Sequence, residues 1–201
     1  RPYNVYGGLQ DNGSWMGPSA AAGGIQNKSW RNIGFGDGFH SYPDPADKDI
    51  IYSEFQGGQF LRIHKSTGEV KSIKPYEKQG EPKYRFNWNT PIALSPTNPK
   101  VMYAGAQYVF RTINKGESWE RISPDLTTND PAKQKQDESG GLSLDNSSAE
   151  NHCTVFTIAE SPLDAKVIWA GTDDGNLQIT LDSGKTWANV VGNIHGLPKN
   201  T

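Results

Sequence analysis

The sequence predicts an all-β chain of repeated four-stranded antiparallel blades, the unit of a β-propeller. Three observations carry this. A proline followed seven residues later by an aromatic recurs along the chain. Each copy closes on an aromatic-x-x-aliphatic pattern. Short alternating segments are separated by glycine- and proline-rich turns, with no convincing helical period.

The repeat is legible residue by residue. Pro45 precedes Tyr52, Pro96 precedes Tyr103 and Pro162 precedes Trp169, with Ile50-Ile51, Val101-Met102 and Val167-Ile168 leading into the aromatic. A fourth copy enters at Tyr6, so that Tyr6-Gly7-Gly8 stands beside Tyr103-Ala104-Gly105 and Trp169-Ala170-Gly171. The closing pattern is Trp30-Arg31-Asn32-Ile33, Trp119-Glu120-Arg121-Ile122 and Trp187-Ala188-Asn189-Val190, with Val70-Lys71-Ser72-Ile73 a weaker version. These units place a partial blade over 1–33 and blades over 34–73, 89–122 and 153–191, with a long insertion over 123–152. In the third unit, strands A to D are expected over Pro91–Leu94, Val101–Ala106, Val109–Thr112 and Ser118–Ile122.

Composition excludes several functions. The 201 residues carry a net charge of −2, which leaves no electrostatic footprint for nucleic acid. No apolar run approaches membrane-spanning length, so no membrane insertion is expected. Cys153 is the single cysteine, which rules out an internal disulfide, and its apolar setting reads as a buried, inert thiol. No sequence motif calls for a cofactor. Asp11-Asn12-Gly13 and Asp173-Asp174-Gly175-Asn176 lack the ligand spacing of a calcium loop and read as turns, so no metal site is expected.

Two turns have a distinct chemistry. Thr180-Leu181-Asp182-Ser183-Gly184-Lys185-Thr186-Trp187 fits S/T-x-D-x-G-x-T-W. Thr112-Ile113-Asn114-Lys115-Gly116-Glu117-Ser118-Trp119 fits it with Asn for Asp, and Ser66-Thr67-Gly68 is a worn copy. A short polar side chain can accept backbone N–H groups just ahead of it and close a hairpin. Glycine supplies a conformation that a Cβ penalises, and the tryptophan packs between sheets. These motifs resemble the Asp-box, or BNR-repeat, propellers, a superfamily that includes sialidases, oligoxyloglucan hydrolases and sortilin-type domains. In that superfamily the Asp-box is a structural turn, so the resemblance assigns Asn114, Gly116, Trp119, Asp182, Gly184 and Trp187 to folding rather than catalysis. Tyr6 to Trp15, Asn87-Trp88-Asn89-Thr90-Pro91 and Trp169 to Asn176 resemble large bacterial proteins labelled sortilin-like or glycosyl hydrolase. The resemblance implies a propeller of more blades than four, completed by further blades of a parent chain or by a partner chain. It also implies a secreted, periplasmic or cell-surface setting.

In such propellers the ligand face carries the B–C turns and the D-to-A connections. Four residues after each repeat aromatic stand Gln10, Gln56, Gln107 and Asp173. They form either a polar ring for a protein, peptide or glycan ligand, or structural side chains that each cap a turn or bond to the neighbouring blade. Asp11, Arg85, Trp88 and Tyr108 join them as candidate binding residues. A sialidase is excluded, since the F/Y-R-I-P motif and an arginine cluster are missing. A glycosidase needs two carboxylates about 5 to 9.5 Å apart, for which Asp37 with Asp173 or Asp174 is the candidate pair. His40 and His152 are candidate helpers, while Glu138 and Glu150 lie in the insertion. The leading expectation is a non-catalytic recognition scaffold, and the alternative is a glycoside hydrolase of the oligoxyloglucan type.

Overall fold

A computed structural model describes residues 3–138 and 150–197. The strands form four antiparallel sheets, one per repeat unit. Blade 1 holds β1 (Asn4–Leu9), β2 (Gly13–Pro18) and β3 (Arg31–Asn32). Blade 2 holds β4 (Gly38–Pro43), β5 (Ile50–Phe55), β6 (Gln59–His64) and β7 (Val70–Ser72). Blade 3 holds β8 (Ile92–Leu94), β9 (Met102–Gly105), β10 (Val109–Thr112) and β11 (Glu120–Arg121). Blade 4 holds β12 (Val155–Glu160), β13 (Ile168–Thr172), β14 (Leu177–Thr180) and β15 (Ala188–Asn189). The fold is all-β, and the helical elements among the described residues are 3₁₀ turns of three residues each.

Each sheet runs in chain order as a meander, and blade 1 begins at the strand equivalent to B. In blade 3, strand C has the expected bounds, whereas strand D is shorter. Residues 112–118 close the Asp-box turn, so only Glu120 and Arg121 pair with β10, and Ile122 N–H extends the contact to Val109 O at 2.9 Å.

Alternation gives every blade two faces, and three cores fill the spaces between successive blades. Ile33 meets Ile51, Leu61 and Ile63 between blades 1 and 2. Tyr52, Phe60 and Ile73 meet Met102, Ala104 and Phe110 between blades 2 and 3. Tyr103, Val109 and Ile122 meet Val155, Ile158 and Ile168 between blades 3 and 4. The Tyr52 hydroxyl donates to Asp44 at 2.6 Å, and the Tyr103 hydroxyl donates to Glu160 at 2.6 Å. Burial and these carboxylates push both phenols upward in pKa.

The Asp-box turns stitch one blade to the previous one. Asp182 accepts Thr186 N–H at 2.9 Å and the Thr186 and Thr180 hydroxyls at 2.6 and 2.8 Å. The Thr186 hydroxyl is the main reason its carboxyl is held at about 2. Asn114 repeats the turn by accepting Ser118 N–H at 3.0 Å. Lys115 and Gly116 both take positive φ, and a Cβ on Gly116 would sit 2.7 Å from Ile73 of blade 2. Gly184, also at positive φ, has the same relation to Ile122 of blade 3. The indole N–H of Trp119 then donates to Ile73 O at 2.6 Å, and that of Trp187 to Ile122 O at 2.9 Å.

Candidate functional site

The B–C turns and the D-to-A connections gather on one face, where the repeat position four residues after each aromatic has a common task. Gln56 Oε1 accepts Asp37 N–H at 2.7 Å. Gln107 is fully buried; its Oε1 accepts Arg85 N–H at 2.8 Å and its Nε2 donates to Lys83 O at 3.0 Å. Asp173 accepts Thr154 N–H and the Thr154 hydroxyl, each at 2.8 Å. In all three blades the side chain ties the B–C turn to the segment that leads into strand A of the same blade. This geometry makes each of the three side chains a tie between two segments of its own blade. Gln10 differs: blade 1 has no described strand before β1, and Gln10 is exposed.

The lead-in segments are cross-linked in turn. Arg85 donates through Nε to Cys153 O at 3.1 Å and through Nη2 to Asp125 and Thr127 at 2.9 and 3.2 Å. Asn87 Nδ2 reaches Thr154 Oγ1 and Asp173 Oδ2 at 2.9 and 3.0 Å. His152 Nδ1 lies 3.3 Å from Asp173 Oδ1. Asp174 is buried and accepts Thr128 N–H at 2.6 Å and the Thr128 hydroxyl at 2.8 Å. Burial alone would raise its pKa, but hydrogen bonds from Thr172 and Thr128 outweigh it and hold the carboxyl below its ordinary value. Cys153 is buried at positive φ, and burial pushes its thiol upward. Asp125, Thr127, Thr128 and Thr154 escaped the sequence reading. The available signal was the Asp125-x-Thr127 spacing, in which Asp125 Oδ1 accepts Thr127 N–H at 3.0 Å.

Two further candidates lie in other surroundings. Tyr108 packs edge-on to Tyr84 and Phe110, with the Arg121 guanidinium 4.8 Å from its ring centroid. Trp88 is half-buried, and its carbonyl accepts Gly57 N–H at 3.2 Å.

The structure brings Asp11, Asp37 and Gln56 into one open cleft of about 560 Å³ between blades 1 and 2, with Asn12, Asn32 and Phe35. Asp173 and Asp174 do not line it; they belong to blade 4 and are held by Thr154 and Thr128. Asp37 is 7% exposed, and its Oδ1 accepts Asp11 N–H at 2.7 Å. Local backbone explains the shape. Asp11, Gly13 and Gly36 all take positive φ, and Gly13 N–H donates to Gly36 O at 2.9 Å. A Cβ on Gly36 would sit 2.4 Å from Gln56 Oε1, so glycine lets the loop close over that amide. Phe35 is left 60% exposed. The lining residues include no Lys, Arg or His. The cleft therefore offers amide donors, carboxylate acceptors and an aromatic face, and disfavours anions. Among the described residues, no three His, Cys, Asp or Glu side chains group as a metal ion would require.

No protein-family profile matches the chain, and no curated protein matches it. Solved structures do. The chain is similar to the GH74 xyloglucanase of Xanthomonas campestris at 11% identity and a TM-score of 0.54, covering 90% of this chain and 26% of that one. It is similar to the Niastella koreensis GH74 enzyme at 15% identity and a TM-score of 0.53, covering 98% and 28%. A weaker likeness, at a TM-score of 0.40 and 14% identity, is to YCF48 bound to D1 peptide, covering 75% and 43%. The chain thus spans about a quarter of the length of the GH74 structures it matches. At these identities the likeness establishes the fold: a run of propeller blades similar to those of GH74 enzymes.

Proposed function

We propose that this chain is a recognition scaffold that binds a neutral glycan without cleaving it, through the cleft between blades 1 and 2. The observation that carries this reading is the lining: Asn12, Asn32 and Gln56 beside Asp11, Asp37 and the exposed ring of Phe35, with no cation among them. Amides and carboxylates match sugar hydroxyls as paired donors and acceptors, and an aromatic ring stacks on the apolar face of a sugar. Asp37 supports a binding role, since one of its oxygens is engaged by Asp11 N–H. A setting outside the cytoplasm, in a bacterial envelope or secreted protein, belongs to the same proposal.

A second reading, hydrolysis, has one observation in its favour: two carboxylates, Asp11 and Asp37, line a single cleft. A panel of neutral polysaccharides, assayed for both binding and sugar release, separates the two. Binding without release is expected, with Phe35→Ala weakening affinity about tenfold. Sugar released by the parent chain and absent with Asp37→Asn would establish the hydrolase instead. Absence of binding to every polysaccharide would overturn both readings.

A further inference from the structure

The outer strand of blade 2 has an unpaired edge beside a cleft. β7 is the last strand of its sheet, and its three residues are all exposed. It pairs with β6 in the register Ile63↔Val70, Arg62↔Lys71 and Leu61↔Ser72. At the two ends of this ladder, His64 N–H donates to Glu69 O and Ile73 N–H to Phe60 O, each at 2.9 Å. Hydrogen-bonded positions alternate along an antiparallel pair, so the Lys71 backbone also faces β6, and the N–H and C=O of Val70 and Ser72 face outward. Among the described residues, no other strand or turn takes them up.

Lys71 and Ile73 turn their side chains toward blade 3. There a cleft of about 750 Å³ opens between β7, the connection that follows it and the outer part of blade 3, with both flanking blades interior to the stack. Tyr84, Phe110 and Trp119 supply its apolar lining. Each lining carboxylate already holds a cation: Glu117 takes Arg62 and Lys71 at 2.7 and 2.6 Å, Glu120 takes Arg111 at 2.7 Å, and Glu81 takes Arg121 at 3.5 Å. Lys74 and Lys78 line the same cleft and form no ion pair among the described residues. Lys74 is fixed in place: its amine donates to Gly57 O at 2.8 Å and lies 4.4 Å from the Phe86 ring centroid. Burial lowers its pKa, a direction that an arriving carboxylate reverses, while Glu77 and Lys83 nearby act on it in opposite senses.

We propose that the β7 edge and this cleft together bind an acidic peptide in extended form, which adds a fifth strand to blade 2. Val70 and Ser72 supply the backbone donors and acceptors. Alternate side chains of the added strand turn toward blade 3, as those of Lys71 and Ile73 do. An apolar one enters the cleft beside Trp119, and acidic ones meet Lys74 and Lys78. The surplus of cations selects for negative charge, and the unpaired backbone edge selects a peptide over a sugar. The site is separate from the cleft between blades 1 and 2.

Selection of short random peptides on the 201-residue chain, followed by fluorescence anisotropy with the selected peptides, tests this. Acidic peptides are expected, with affinity that falls as salt is added and drops at least about tenfold in Lys74→Ala/Lys78→Ala. N-methylation of alternate peptide residues should abolish binding in one register and spare it in the other, as strand addition requires. Ser72→Pro removes an outward N–H and no ladder bond, so it should fold as the parent does and bind about tenfold more weakly. If that variant fails to fold by near-ultraviolet circular dichroism, the N-methylated peptides carry the same test. Selection of no peptide, or of peptides without net negative charge, would overturn the proposal. So would indifference to the lysine pair or to N-methylation in both registers. Polygalacturonate binding that needs Lys74 and Lys78 but ignores Ser72→Pro, with no peptide selected, would make the occupant an acidic sugar instead.

Discussion

Glu54 stands two residues after its repeat aromatic, where the other three blades carry Gly8, Gly105 and Gly171. That position lies at the seam between blades: a Cβ on Gly8 would strike the backbone of Gly38, and one on Gly105 would meet Pro91 and Val155. Blade 2 puts a whole carboxyl group into this seam. Its side chain is fully buried, Oε1 accepts Thr90 N–H of blade 3 at 3.3 Å, and Oε2 has no partner among the described residues. Desolvation is the dominant influence and pushes the carboxyl up to about 9, against smaller opposing contributions from the backbone of Thr90, His40 and Gly58. A raised carboxyl pKa means that the folded chain holds its proton longer than the unfolded chain. The contribution of Glu54 is therefore fully present below the unfolded value of 4.5 and is lost as pH rises from there toward 9. Glu54→Gln keeps the oxygen that accepts Thr90 N–H and removes the ionisation. Urea unfolding across this pH range should show the parent chain losing up to about 1.4 kcal/mol per pH unit relative to the variant. Parallel pH profiles would mean that Glu54 is ionised in the folded chain.

At the scale of the element, the Asp-box turn joins local chemistry to packing. The side-chain acceptor closes the hairpin within one blade, and the tryptophan that follows reaches the previous one. Trp119→Ala should therefore cost more than an exposed turn substitution, about 3 kcal/mol, because it opens space beside Phe60 and leaves Ile73 O without its donor. Trp119→Phe keeps most of the ring and should cost about 1 kcal/mol, for the lost hydrogen bond alone. Equal losses in the two denaturation curves would show that packing contributes little. This level was the most legible in the sequence, since Asp182 and Asn114 fulfil their turn roles through neighbours within four residues. The repeat position of Gln56, Gln107 and Asp173 was equally visible, but its task was not. Their partners Asp37, Arg85 and Thr154 lie 19 to 22 residues away, beyond what local spacing specifies. The cleft between blades 1 and 2 was partly legible: Asp11, Asp37 and Gln56 are polar residues in the turns and connections of one face, but their meeting depends on the Gly13 and Gly36 backbone.

Over the whole molecule, each blade touches its neighbours through one apolar core, as in other repeat architectures, so stability is the sum of blades and seams. The seam between blades 3 and 4 has a second, polar attachment. Arg85, in the lead to blade 3, holds Cys153 O at the entrance to blade 4 and also Asp125 and Thr127 in the connection between them. Three segments distant in sequence are pinned by one guanidinium, whose planar fork can address several oxygens at once. Arg85→Ala should lower overall stability by about 2 kcal/mol, since partly buried oxygens lose a charged donor. Its spatial signature is the sharper consequence. Hydrogen exchange should quicken at 153–155 and 125–128, whereas the β5–β6 ladder of blade 2 should exchange as in the parent chain, because its contacts to blade 3 run through Tyr52, Glu54, Phe60 and Arg62 rather than through Arg85. Uniform loss of protection across all four blades would show instead that the stack unfolds as a single unit and that the seams do not act separately.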